Sequence, residues 1–421
     1  MEDSKELDVL QEKSTEKESA QPEKKPKKAR KLLTFLGGAV LGGAAATGVC
    51  YILSGGMLFA QGLLSEETVS KLQTLQNLIS QHYYKADEVT QEQLADGLYK
   101  GLLESLDDPY SVYYDEDDVA SLNESVSGSY SGIGAYVSKD ETTDCPKIAG
   151  VIAGAPAEAA GLQEDDILWK ADGESLQGLD LDMAVSKIRG EEGTTVKLTI
   201  VRDGEEMEVE VTRDEVHSET AAGKMLEDGM GCIQISQFTD ATPEQFEEAL
   251  QTLQEDDLQG LIIDLRGNPG GTVEAVTEIA EYLIPEGKIF YMEYPDGSTK
   301  EYTTDGKNYI DLPIVVLVNG NSASASEILS SSIQDSGSGT VIGTQTYGKG
   351  VVQTVYSLTD GTAVKLTIAE YFTRNGNTIN KIGVTPDEVV EFDSDAYQQQ
   401  DRYDNQLEKA KEILKSKMQE S

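Results

Sequence analysis

Apolar and polar positions change their period several times along the chain, and the changes divide it. Residues 32–60 form an uncharged run rich in Gly and Ala. At ~29 residues it exceeds the ~20 that cross a bilayer, so it predicts a transmembrane helix. Beyond Ser65 the period becomes helical. Val69, Leu72, Leu75, Leu78 and Ile79 share one face, and Leu94, Leu98, Leu102 and Leu103 share a side of a second helix over 91–106, stopped at Asp107-Asp108-Pro109. A third short helix fits 116–124. From about 129 to 213 the pattern turns β-rich. Residues 131–137 open it, a short helix at 155–162 follows, a strand starts near Ile167, and a helix covers 181–188. A hairpin pairs 196–201 with 207–211 around Asp203-Gly204. From 216 to 392 strands (232–235, 260–265, 314–318, 341–343, 351–356, 364–368) alternate with helices (246–253, 273–284, 326–334), which predicts an α/β core. The last 25 or so residues form a charged amphipathic helix, with Leu407, Ala410, Ile413 and Leu414 on a face that could dock or dimerise.

Charge sharpens this division. The 421 residues carry a formal net charge of −42. The first 31 hold nine Lys/Arg and eight Asp/Glu, and too few apolar groups to build a core, so they predict a disordered tail. The basic cluster 24–31 precedes the apolar run and places the N-terminus in the cytoplasm, with the bulk outside it. A cleaved signal peptide is the competing reading, but its apolar stretch is typically only ~7–15 residues. The part beyond the run has 25 basic against 68 acidic residues and no basic patch, which excludes a nucleic-acid partner. Its acidic surface favours solubility and could attract basic substrates. Cys50, Cys145 and Cys232 offer neither a disulfide framework nor metal-ligand spacing. With only His82 and His217 in the chain, no metal site and no cofactor is expected.

Candidate chemistry lies in three loops. The apolar strand ending at Val318 meets Asn319-Gly320, and a helix restarts at Ser322-Ala323-Ser324-Ala325-Ser326-Glu327. Such a junction can expose a serine nucleophile. Ser324 and Glu327 also make a capping box, and Ser322 and Ser326 are equally small. A serine nucleophile needs a base. Histidine is scarce, although His217 would allow a Ser-His arrangement. Lys349 is the alternative, and it must be desolvated to act, since an ordinary lysine titrates near pH ~10.4. In the strand that follows, Val351 would help to dry the amine and Gln353 would share the face of Lys349 and orient it. The third loop, Arg266-Gly267-Asn268-Pro269-Gly270-Gly271, joins a buried strand to a helix. Its glycines can present backbone N–H groups to an oxyanion, or simply turn the chain beside an Asp264–Arg266 ion pair.

Together DLRGNPGG (264–271), NGNSASASEI (319–328) and TYGKGVVQ (346–353) resemble the C-terminal processing proteases, or tail-specific peptidases. The resemblance implies Ser324 as nucleophile, Lys349 as general base, Gln353 as its orienting partner, and the amides of Ala325 and Gly271 (or Gly270) as oxyanion donors. Residues 129–213 look like a PDZ domain. By the same resemblance the amides around Gly132, Ile133 and Gly134 hold a free peptide C-terminus that adds as a strand. The expected architecture is α+β and multidomain: a cytoplasmic tail (1–31), a transmembrane helix (32–60), an N-terminal helical region that packs or dimerises (61–128), the PDZ-like β domain (129–213), an α/β, crotonase-like serine protease core (214–395) and a C-terminal helix (396–421). The expected activity is cleavage of unstructured protein C-termini by a single-pass plasma-membrane endopeptidase. A non-catalytic, membrane-anchored PDZ receptor and a Ser-His hydrolase using His217 are the rival readings.

Overall fold

A computed structural model describes residues 63–399 and 402–420. The expected tail and transmembrane run lie outside the described residues. Among those described, no helix is long and apolar enough to cross a membrane. Contacts divide the chain after Leu94 into two units, each described by itself. In the first, α1 (Glu66–His82) is capped by the Ser65 hydroxyl, which accepts from the Thr68 amide. The helix α2 (Gln91–Glu104) runs across the division.

The second unit holds everything that follows. Strand β1 (Val112–Tyr114) leads to α3 (Glu116–Ser127), which opens on a capping box between Asp115 and Asp118 and closes on left-handed Gly128. Strand β2 (Ser129–Gly132) precedes the strands β3 (Ala135–Asp140) and β4 (Cys145–Val151), the one-turn helix α4 (Pro156–Ala159), β5 (Ile167–Ala171), β6 (Glu174–Ser175), α5 (Leu181–Ile188), β7 (Thr195–Arg202) and β8 (Glu205–Thr212). These make an antiparallel sheet in the order β3-β4-β5-β7-β8, with β6 on β5. Ile148, Leu168, Leu198 and Ile200 fill its core, where Arg202 also forks onto nearly buried Asp166. Strand β9 (Asp214–His217) pairs back on β2 in a separate two-stranded ribbon, so residues 131–137, which open the β-rich region, span the end of β2 and the start of β3.

The core follows: β10 (Ala221–Met225), β11 (Met230–Ile235), α6 (Thr242–Glu255), β12 (Gly260–Asp264), α7 (Val273–Leu283), β13 (Gly287–Glu293), β14 (Thr299–Thr304), β15 (Ile314–Val318), α8 (Ala325–Ser336), β16 (Gly339–Gly343), β17 (Val351–Ser357), β18 (Ala363–Thr373), β19 (Glu388–Val389), α9 (Ser394–Gln399) and α10 (Asn405–Glu420). One sheet runs β10-β11-β12-β15-β16-β19, parallel except at β10. Its strands are apolar on both faces, because successive side chains point opposite ways and both sides are covered. Leu261, Ile263, Val316 and Val318 pack under α6, α7 and α8, while Ile262, Val315 and Leu317 meet Ala410 and Leu414 of α10. A second sheet, β1-β18-β13-β14 with β17 also on β18, stands beside it. The C-terminal segment is two helices, interrupted at Arg402 (φ 61°).

Candidate active site

The loops after β12 and β15 leave the same end of the parallel sheet, where open α/β sheets bind ligands. Buried Asn268 stitches them together. Its Nδ2 donates to the Ile235 carbonyl, its Oδ1 accepts from the Gly270 amide, and its carbonyl accepts from the Ala323 amide and the Ser326 hydroxyl.

Those bonds separate the three serines. The Ser322 hydroxyl donates to the Leu265 carbonyl and accepts from the Asn319 amide, and Ser326 is spent on Asn268; both are fully buried. Ser324 is half-buried, its side chain caps no amide, and it lines a cavity of about 500 Å³. Its backbone, at φ 54° and ψ −113°, is strained for a residue with a Cβ. Such conformations cost ~1–3 kcal/mol and persist where the surroundings impose them.

The imposing group is Glu327, fully buried one turn into α8. Its Oε2 accepts from the amides of Ser324 (2.8 Å) and Lys349 (2.9 Å), and its Oε1 from the Thr346 hydroxyl and the Gly348 amide. Glu327 thus makes the carboxylate arm of the expected capping box, and it also carries the later loop. Tyr371 on β18 adds a second tie: its buried hydroxyl reaches the carbonyls of both Ser324 (3.1 Å) and Lys349. Sequence reasoning had no signal for Tyr371, whose strand simply alternates.

Lys349, Val351, Gln353, Gly271 and Ala325 line the same cavity as Ser324. Burial holds the Lys349 ammonium below the ordinary lysine range, and the like charge of Lys365 pushes it the same way, against the pull of Glu327 and Asp108. Lys349 Nζ lies 4.8 Å from the centre of the Tyr110 ring, and among the described residues it donates no hydrogen bond to Ser324 or Gln353. Gln353 instead donates to the Thr367 hydroxyl (3.2 Å), whose own amide donates to buried Ser111. A bulge between Val352 and Gln353 sets that register. Tyr110 and Ser111, just ahead of β1, thus reach both candidate groups. They sit far from the three loops in sequence, and nothing in the chain's patterning marked them.

Gly270 and Gly271 are both held at positive φ (103° and 153°). A Cβ on Gly270 would lie 2.8 Å from the Cβ of Ser324, and one on Gly271 would lie 1.8 Å from the Phe238 carbonyl oxygen. Gly271 bridges Phe238 through the bonds of its neighbours, Phe238 N–H to Gly270 and Thr272 N–H to Phe238. In such a bridge the central residue's own N–H points away from the partner strand. Asp264 and Arg266 do pair, and Arg266 also holds Asp404 and Gln406 ahead of and at the start of α10. Burial opposes the Arg266 charge, but those carboxylates outweigh it and raise its pKa.

His217 lies on β9 and lines a different cavity, with Tyr136, Glu219 and Gln245; no histidine lines that of Ser324. Gly132, Ile133 and Gly134 also lie outside the Ser324 cavity. Gly132 pairs with Asp214, the Ile133 side chain enters the core of its sheet, and Gly134 (φ 74°) packs where a Cβ would meet Ala155. Beside them β3 ends its sheet, leaving an unpaired edge near α5. At the end of α5, Arg189 bonds Glu124 of α3 (2.8 Å) and covers the Tyr130 ring, joining this sheet to a helix whose Leu122, Ser125 and Val126 line the Ser324 cavity. Among the described residues no cluster of metal ligands occurs.

Comparison with known proteins matches residues 229–390 to peptidase family S41, 147–202 to a PDZ domain and 57–118 to the N-terminal domain of the activating protease CtpB. The carboxy-terminal processing protease CtpA of Bacillus subtilis is 38% identical over 74% of this chain and 66% of its own length, so the chain spans just under two thirds of that relative. A probable CtpA-like serine protease of Staphylococcus aureus is 32% identical over 87% of this chain and 73% of its own. The solved photosystem II D1 C-terminal processing protease is 28% identical over 77% of this chain and 92% of its own, with a TM-score of 0.45.

Proposed function

We propose, from the premise that this chain belongs to the carboxy-terminal processing serine proteases of peptidase family S41, that Ser324 and Lys349 are its catalytic pair. The observation that carries the reading is the sorting of the serines: Ser322 and Ser326 are consumed by backbone carbonyls, while Ser324 opens onto the cavity that Lys349 lines. Lys349 leaves the Tyr110 ring, and its neutral amine takes the Ser324 proton as Oγ attacks the scissile carbonyl carbon. Catalytic hydrogen bonds commonly tighten only when substrate binds. The amides of Gly271 and Ala325 receive the oxyanion. The C–N bond then breaks, Lys349 returns its proton to the leaving amine, and water, deprotonated by Lys349, hydrolyses the acyl-enzyme. Gln353 steadies the amine once Thr367 releases it.

The PDZ-like sheet selects the substrate. A free, unstructured protein C-terminus adds along the open edge of β3, with its carboxylate on the amides around Gly132, Ile133 and Gly134. Residues 32–60 anchor the chain as a single span with the catalytic part outside the cytoplasm, and the N-terminal helices support a homodimer. Recovery of the full chain in a soluble rather than a membrane fraction counts against the anchor.

The decisive experiment compares Ser324→Ala and Lys349→Ala on a C-terminal tail peptide. Both should lose cleavage while still binding the peptide. Unchanged turnover in Lys349→Ala overturns the pair, and turnover in neither variant with peptide binding also lost points to misfolding, which thermal melts identify.

A further inference from the structure

Lys365 shares the cavity of Ser324 and Lys349. It is half-buried on β18, and its Nζ donates to the Tyr114 hydroxyl at 2.6 Å. An ammonium has three donors. Among the described residues Lys365 makes no ion pair, and neither does Lys349. Elsewhere the partly buried Lys147, Lys288, Lys409 and Lys411 each find a carboxylate. The one carboxylate lining the cavity, Glu274, pairs with neither lysine. Charges withdrawn from water need a partner.

The β17–β18 ladder places this charge. Gln353 stands opposite Thr367 and Val355 opposite Lys365, so the two pairs share a face about 7 Å apart. Gln353 is bonded to Thr367 on the cavity floor, and Lys365 is the next position along it. Leu122, Val126, Val351 and Val355 line the same cavity and offer no acceptor, and among the described residues its polar lining, Ser125, Gln237, Thr272 and Glu274, makes no bond to Lys365. The geometry points to a carboxylate of the substrate as the partner of Lys365: an acidic side chain within a few residues of the scissile bond. This rests on the reading of Ser324 and Lys349 as the catalytic pair. It makes Lys365 a specificity-determining residue of the cleft that Ser324 and Lys349 share.

The test uses matched tail peptides carrying Glu or Gln at each position flanking a mapped cut, each as free acid and as C-terminal amide. Wild type, Lys365→Gln and Lys365→Glu are compared by kcat/KM. At one position wild type should favour Glu over Gln by about tenfold or more, as a largely desolvated charge pair would. The ratio should approach one in Lys365→Gln and invert in Lys365→Glu. A Lys365→Gln variant that loses only the acid-to-amide ratio, with the Glu-to-Gln ratio unmoved, overturns the inference. Ratios identical in wild type and Lys365→Gln overturn the inference. So does a wild type indifferent to Glu against Gln at every position, which needs no variant to fold. Cleavage surviving in Ser324→Ala and Lys349→Ala would instead remove the catalytic reading beneath it.

Discussion

Tyr371 brings one hydroxyl to two carbonyls, those of Ser324 and Lys349, and its burial holds that phenol well above the ordinary tyrosine range, so it stays a donor. Tyr371→Phe keeps the volume and removes the tie. Misplacing reacting groups by a fraction of an ångström to an ångström costs up to roughly 10²-fold. The expected outcome is kcat lowered about 10- to 100-fold, with KM within about twofold, read from steady-state cleavage of a tail peptide. The pH dependence has a definite sign. A base must be neutral, so kcat/KM should rise with pH through a midpoint below the ordinary lysine value, because burial and Lys365 outweigh Glu327 and Asp108 at Lys349. Lys365→Gln removes the like charge and should move that limb to higher pH. A limb at the ordinary lysine position in wild type would contradict the burial seen here. Residue type and loop position pointed to the serine-rich helix start, Lys349 and the glycine loop, while the family resemblance singled out Ser324 and, beside Gly270, Gly271. Glu327 looked like a cap, and only its four donors reveal that it also binds the Lys349 loop.

At the scale of elements, legibility followed burial. Strands covered on both faces, such as Ile314–Val318, are continuous apolar runs, and α7 shows a clean helical period in Val276, Ile279, Ala280 and Leu283. The hairpin β13–β14 left no such trace. A bulge between Lys288 and Phe290 interrupts its alternation, and β14 is mostly exposed and polar. Strand β10 is built of small residues at a sheet edge, and β1 has three residues whose pairing with β18 is entirely long-range. The C-terminal helix was visible as an amphipathic pattern, but its anchor was not, because Arg266 and Asp404 are 138 positions apart. That anchor is testable. Asp404→Ala removes a half-buried partner of Arg266, and bonds to charged groups contribute ~1.5–3 kcal/mol. Denaturant unfolding should report a loss of that order, with cleavage also reduced because Arg266 opens the loop that carries Gly270 and Gly271.

Over the whole molecule the charge is acidic, while among the described residues the two lysines of the Ser324 cavity, Lys349 and Lys365, make no ion pair. The outer field should draw basic tails, and the cleft should then sort them by a local carboxylate. Association of a Lys-rich tail peptide should weaken as salt is raised from about 0.01 to 0.15 M, where the screening length falls from roughly 30 to 8 Å; a rate independent of salt would rule out such steering. The chain's topology carries a last implication. Helix α3 precedes the PDZ-like sheet in sequence yet walls the pocket with β18, which follows the sheet and pairs with β1. The PDZ-like module is therefore spliced into the protease body, not strung in front of it. Whoever exchanges it for another must make two joins, and a fragment begun at the module's first strand would leave the protease with one side of its cleft missing.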